Sequence, residues 1–423
     1  MTRNAMWRYE TKLLSVLCLT FGFVFIDRNA VNYLAPFIAA DLHLSNTQIG
    51  MLASALSLTW ALSGYIGGAI SDRTGKRKTY LLVAVVLFSL CSFSSGLATS
   101  FFMLMAARLL MGLSEGPVLP ISQSLIALES SESRRGLNAG VMQNLGSNLL
   151  GSFVAPLALV ALANAYGWRV AFYLTAVPGL ILAVLLAKYV REPKTRDLQP
   201  AGAVTPVPAD QMRTSQMFKF SNMWICILMS CFMVAWMVLN WAFLPLYYVN
   251  VRHVSASDMS ILMSVLGVSA GFFSFVVPGL SDKIGRKPIV IAFCLIGVLT
   301  PLAALYYQGS LIALGVLLFV GWSASGTFPL FMATIPSETI PARYIATSLG
   351  LVMGIGELAG GVTGPYFAGV AADKYGLQAP MLIATGCALA ATALAVFLKE
   401  TAPVKVKKLS GSSLNYSPTR PTA

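Results

Sequence analysis

"GGAISDRTGKRK", residues 67–78, and "PGLSDKIGRKP", residues 278–288, carry the same pattern: Asp, a basic residue, any residue, Gly, then two basic residues. Asp72 answers Asp282. A second echo follows in step, because "ALESSESRRG" (127–136) and "IPSETIPARY" (335–344) set Glu129 against Glu338 and Arg135 against Arg343. Two echoes in the same order imply two parallel structural repeats.

Between these polar loops the chain is apolar. It is 423 residues long, 57% hydrophobic and only 11% charged, with a mean hydropathy of +0.73. That is more apolar surface than a soluble core hides. Runs long enough to cross the hydrocarbon layer, each roughly 18 residues or more, are read near 11–37, 47–70, 79–98, 101–128, 136–162, 169–190, 220–248, 258–280, 288–307, 310–335, 344–370 and 378–398. The expected fold is all-α, with about twelve membrane helices in two pseudo-symmetric bundles of six.

The formal net charge of +13 follows the same plan. Basic residues crowd every second loop: Arg3, Arg8 and Lys12 before the first span, Arg73 to Lys78 after the second, and Arg134 and Arg135 after the fourth. The series continues with Lys188 to Lys219 after the sixth, Lys283 to Lys287 after the eighth, Arg343 after the tenth, and Lys399 to Arg420 at the end. The opposite loops hold Arg169, Arg252 and Lys374. By the positive-inside rule both termini face the cytoplasm. The charge encodes topology, and nucleic acid is not among the expected partners.

The first apolar run is too long for a signal-peptide core and lacks a small-residue cleavage pattern, so it reads as a retained span. The six cysteines, Cys18, Cys91, Cys226, Cys231, Cys294 and Cys387, lie inside spans without metal-ligand spacing and read as apolar filler. Residues 191–219 break the pattern with Pro, Ala and charge, dividing the chain into a first bundle (1–190), a cytoplasmic linker (191–219) and a second bundle (220–400). A polar tail, 401–423, reads as disordered.

The loop Gly68-x-x-x-Asp72-Arg73-x-Gly75-Lys76-Arg77, with "RLLMGLSE" from Arg108 to Glu115, resembles motifs of the major facilitator superfamily. That resemblance spans the chain and implies a carrier working by alternating access. The loop chemistry makes sense by itself. A carboxylate at a helix end, followed by Gly and a basic cluster, can accept hydrogen bonds from a neighbouring helix terminus and latch two bundles. Gly68, Asp72, Arg73, Gly75, Arg77, Glu129, Arg135, Asp282, Arg286, Glu338 and Arg343 are therefore expected to act on conformational change. The plain alternative is a positive-inside anchor.

Five ionisable residues fall well inside spans: Asp27, Arg28, Arg108, Glu115 and Glu357. Each costs about 2.5–3.5 kcal/mol at mid-bilayer on insertion scales, so such residues usually face a cavity and act. Asp27 and Arg28, being adjacent, leave the helix about 100° apart and cannot serve one contact. Arg108 and Glu115 share a helix face about 10 Å apart, too far for an unaided pair.

Asp27-Arg28 in the first span with Arg108-x-x-x-Gly112-x-x-Glu115 in the fourth resembles the anion:cation symporter family, whose members take up organic anions such as sugar acids together with protons. The resemblance implies that Asp27 and Glu115 are proton sites and that Arg28 anchors the substrate carboxylate, with Arg108 tuning Glu115 or lining the path. Trp60 stands where that family often has an aromatic substrate contact. Asn144, Ser147 and Asn148 make a polar i, i+3, i+4 face that suits either a polyol or a neighbouring helix. Asn240, Tyr247, Tyr248, Trp322 and Ser323 are further candidates for the substrate cavity. Glu357 departs from the resemblance and reads as a further proton site or a contact for a donor-rich substrate.

The expected partners are a small organic anion, protons and the lipid bilayer, with a monomer as the working unit, a bacterial inner membrane as the location and no cofactor. A drug:proton antiporter on the same fold is the alternative. Its usual Gly-Pro motif in the fifth span is here Ala155-Pro156, although "GGVTGP" occurs in the eleventh. Catalysis is not expected, because His43 and His253 both fall in loops opposite the termini and no nucleophile, phosphate or metal motif is present.

Overall fold

The computed structural model describes residues 3–131, 134–193, 219–340 and 345–405, and of these the side chains of 3–8, Asp72, Arg135 and Ala346 fall outside the description. Arg343, most of the expected linker and most of the expected tail also lie outside the described residues.

Twelve membrane helices make two bundles. The first holds α1 (Arg3–Leu42), α2 (Asn46–Thr74), α3 (Arg77–Gly96), α4 (Phe101–Glu129), α5 (Leu137–Tyr166) and α6 (Trp168–Tyr189). The second holds α7 (Ser221–Asn250), α8 (Ala256–Ile284), α9 (Arg286–Tyr306), α10 (Leu311–Thr339), α11 and α12 (Gln378–Val396). Helix α11 runs through three consecutive segments, Ile345–Gly356, Glu357–Thr363 and Gly364–Tyr375, the middle one wound in wider π turns. The other eleven are each long and apolar enough to cross a bilayer.

The repeat is visible in the backbone. All six positive-φ residues among the described ones fall in three matched pairs: His43 (51°) with His253 (52°), Gly75 (69°) with Gly285 (121°), and Gly167 (86°) with Gly376 (87°). His43 and His253 each close the first helix of a bundle in the left-handed region, and two residues later Ser45 and Ser255 cap α2 and α8. Gly75 and Gly285 end α2 and α8, where a left-handed turn suits Gly best.

The bundles meet toward the face opposite the termini. Glycines bring backbones together there: Gly50 of α2 lies against the Pro365 carbonyl of α11, Gly369 of α11 against Asn46 and Thr47, and Gly267 of α8 against Ser152 and Phe153 of α5. Asp373 at the end of α11 accepts hydrogen bonds from the Asn46 and Thr47 amides, both at 2.9 Å, and from the Thr47 hydroxyl. Ser264 donates to the Phe153 carbonyl at 3.0 Å, and Asn164 reaches Ser257 at 3.4 Å. Every hydrogen bond joining the bundles among the described residues lies between mid-membrane and this face.

On the terminal face the ties between described residues run within each bundle. Arg286 bridges Asp282 at 2.6 Å and Glu338 at 2.9 Å, and donates to the Ser281 hydroxyl oxygen at 2.7 Å. Glu400 accepts from the Arg286 and Lys287 amides. Arg77 donates to Ser124 at 2.6 Å, joining α3 to α4. The sequence pointed to a latch between bundles, and in this conformation Asp282, Arg286 and Glu338 brace the second bundle internally instead. Thr401 and Ala402, expected in the tail, are packed, Thr401 donating to Glu338 at 2.6 Å and Ala402 fully buried, while 403–405 are exposed.

Candidate functional site

Arg28 sits near the middle of α1, where the two bundles meet. Its Nη2 donates to Glu357 Oε1 of α11 at 3.2 Å, and both side chains are 16% exposed. The guanidinium lies over the Trp60 ring of α2, 4.7 Å from its centroid, with Phe25 at 5.8 Å. A cation is thus held between an aromatic face of one bundle and a carboxylate of the other. Glycines fix the frame: Gly112 and Gly116 of α4 press against Thr59, Leu56, Trp60 and Ser63 of α2, and Ser63 donates to the Gly112 carbonyl at 2.9 Å.

Asp27 points the other way, into the first bundle, and is 1% exposed. Ser92 of α3 donates to its Oδ1 at 2.8 Å. The Ser92 hydroxyl also lies 2.7 Å from that of Thr175 of α6, which reaches the Phe172 carbonyl at 3.0 Å. Asp27 Oδ2 is buried without a hydrogen-bond partner. Arg108, 1% exposed, does not bond that carboxyl; its Nη1 donates to the Asp27 backbone carbonyl at 3.2 Å, and its head lies 5.7 Å from the Phe172 ring centroid. Arg108 is therefore enclosed by its own bundle rather than set beside Arg28.

Glu115 is fully buried at the point where α4 breaks, between Phe101–Glu115 and Val118–Glu129, and neither carboxyl oxygen has a hydrogen-bond partner. The charges that act on it are Asp27, Arg28 and Arg108. Four of the five intramembrane charges thus gather in the first bundle, and the fifth, Glu357, reaches across to Arg28.

The remaining candidates divide. Asn144 and Asn148 of α5 are half-buried and make no hydrogen bond among the described residues, whereas Ser147 donates to the Gln143 carbonyl of its own helix at 2.6 Å. The face read at α-helical spacing is altered because Val141–Val154 winds as π turns. In the second bundle Trp322 is stacked between Trp236 (4.7 Å) and Trp241 (6.2 Å), and Trp241 meets Tyr33 of α1 at 6.5 Å. Asn240 bonds the Trp236 carbonyl at 2.7 Å, and Tyr247 is packed against Tyr248. Buried polar atoms without a hydrogen-bond partner in this bundle include Asn240 Oδ1, Trp241 Nε1, Tyr248 OH, Trp322 Nε1 and Ser323 Oγ. Trp236, Trp241, Tyr33, Ser92 and Thr175 were not singled out in the sequence. The tryptophan spacing of five residues, 236 to 241, was the signal available for two of them.

A cleft of about 450 Å³ on the face opposite the termini is lined by Pro36, Phe37, Ala40, Asp41, Trp168 and Val249. Its one charge, Asp41, is held by Arg169 at 2.7 Å, so nothing there recruits a charged cargo. Among the described residues no His, Cys, Asp and Glu group could hold a metal.

Residues 17–361 match the family model described as Major Facilitator Superfamily. The chain belongs to that superfamily. It is 31% identical over 278 residues to the hexuronate transporter of Bacillus subtilis (strain 168), a match covering 63% of this chain and 64% of that protein. It is 29% identical to the "Probable 4-methylmuconolactone transporter" of Cupriavidus pinatubonensis, over 94% of this chain and 92% of that one. Among solved structures, a bacterial homologue of the human lysosomal transporter Spinster, inward-facing and occupied, superposes with a TM-score of 0.74 at 20% identity, covering 97% of this chain and 99% of that chain. This major facilitator protein is an integral membrane transporter and not an enzyme, as the expected superfamily and fold required.

Proposed function

We propose that this transporter takes up a small organic acid, such as a sugar acid, a dicarboxylate or an aromatic acid, together with protons by alternating access. One observation carries the reading: Arg28, a cation on a tryptophan face at mid-membrane, stands where both bundles can reach it. The acid's carboxylate docks on Arg28, displacing Glu357, while Asp27 and Glu115 carry protons on the other side of α1. Buried carboxyl groups without a bonded cation are the usual places for a membrane carrier to hold a proton. The likeness to the hexuronate transporter supports an acidic cargo.

With both termini in the cytoplasm, by the positive-inside rule, hydrogen bonds between the bundles that, among the described residues, run from mid-membrane to the opposite face support an inward-facing state of an inner-membrane protein. Asp72, Arg73, Gly68, Gly75 and Arg77, with Glu129, Arg135 and the matching set of the second half, then govern closure of the cytoplasmic side. A single chain holds both bundles and works as a monomer.

Thermal-shift titration of the purified protein against organic acids, sugars and lipophilic cations at about pH 5.5 and 7.5 tests the reading, since a ligand that binds only the folded protein stabilises it. Stabilisation by an acid, lost in Arg28→Ala, is the expected result. Stabilisation by lipophilic cations alone overturns it and favours efflux.

A further inference from the structure

Glu357 occupies the place that the cargo's carboxylate must take. Its Oε1 is 3.2 Å from Arg28 Nη2, and among the described residues Arg28 is the one group bonded to it. The backbone that carries this carboxylate is held close against α7. Gly356 packs against Ser230 and Gly360 against the Cys231 carbonyl and Ala235 amide of α7, while Gly361 lies beside the Glu357 carboxyl itself. Arg28 is equally held, by Trp60 and Phe25.

An acid that took Arg28 alone would therefore leave Glu357 at 16% exposure with its cation removed. Breaking a sheltered ion pair from one side is far more costly than exchanging it, because the group left behind is neither paired nor fully hydrated. Resting on the reading of Arg28 as the anion anchor, we infer that the cargo is an acid with its own hydrogen-bond donor, a hydroxyl or ammonium on the first or second carbon from the carboxylate. Such an acid inserts into the pair, its carboxylate on Arg28 and its donor on Glu357. Glu357 is then the specificity residue. It rejects plain acids by competing for Arg28 and accepts those that supply a donor in exchange.

Binding titrations of matched acids test this: a plain carboxylic acid, its 2-hydroxy form and its 2-amino form, against the wild-type protein and Glu357→Gln. In the wild type at least one donor-bearing acid is expected to bind at least about tenfold more tightly than the plain acid, the size of a hydrogen bond to a charged group. The two donor arms tell hydroxyl from ammonium. In Glu357→Gln the plain acid should gain affinity and the ratio fall below about threefold, because the internal competitor is gone. Equal affinity of plain and donor-bearing acids in the wild type overturns the inference, whether or not Glu357 takes up a proton, and so does an unchanged ratio in Glu357→Gln. If that variant does not fold, the wild-type ratio alone decides. Acids that bind through Arg28 without discrimination leave the anchor reading standing, whereas failure of every acid to bind removes both.

Discussion

Asp27 and Arg28 are neighbours in sequence that face different surroundings around α1. Their roughly 100° separation was legible, but which charge faced the other bundle was not, because adjacency fixes an angle between side chains and not the phase of the helix against its surroundings. The structure sets Arg28 toward α11 and Asp27 toward Ser92. Ser92→Ala removes the donor at Asp27 Oδ1 and leaves a second buried oxygen unserved, at a cost of about 1–3 kcal/mol. The purified variant should melt at lower temperature than wild type, and Ser92→Thr should recover part of the loss. An unchanged melting temperature for Ser92→Ala would show that the bond is not worth making. Glu115→Gln keeps the shape and removes the exchangeable carboxyl proton. In proteoliposomes it should retain counterflow exchange of the acid while losing accumulation driven by a pH gradient. Normal accumulation would take Glu115 out of the coupling.

At the scale of elements, the Arg108-x-x-x-Gly112-x-x-Glu115 motif was readable as chemistry, and its glycine proves to be packing. Gly112 and the following Gly116 let α4 press onto α2 where Trp60 supports Arg28. Gly116→Ala places a methyl group against Ser63 and the Trp60 carbonyl, and overpacking of this kind costs about 1–3 kcal/mol. The variant should lose stability and also bind the acid more weakly, since Trp60 must move. Gly350→Ala, at an exposed position with nothing within 4 Å, is the control. Replacing that helical glycine should be neutral or stabilise by about 0.5–1 kcal/mol. The Asn144, Ser147 and Asn148 face misled in part for a related reason. Side-chain spacing predicts a shared face only while the winding is α-helical, and α5 leaves that winding at Val141.

For the whole molecule, span order, repeat and bundle count were legible because each depends on runs of about twenty residues or on matched loops. The partnership of the two halves was not, since Glu357 and Asp373 find their contacts more than 300 residues away. Asp373 is the clearest instance. In sequence it is one acid beside Lys374, whereas in the fold its carboxylate closes the face opposite the termini by accepting three hydrogen bonds from the start of α2. Those bonds exist only while α2 and α11 are together, so they stabilise this conformation and not one opened on that face. Asp373→Ala should shift the population toward the opened state, by about ten- to a hundredfold if the set contributes about 1.5–3 kcal/mol. Paired spin labels at Asn164 and Ser257, which lie 3.4 Å apart across the same seam, would report it as a longer distance in the variant. Ser45→Ala weakens the cap of the same helix by about 1 kcal/mol but crosses no bundle interface, so it should cost stability without lengthening that distance. If the two variants shift the labels equally, Asp373 is a helix cap and the seam is held by its other contacts.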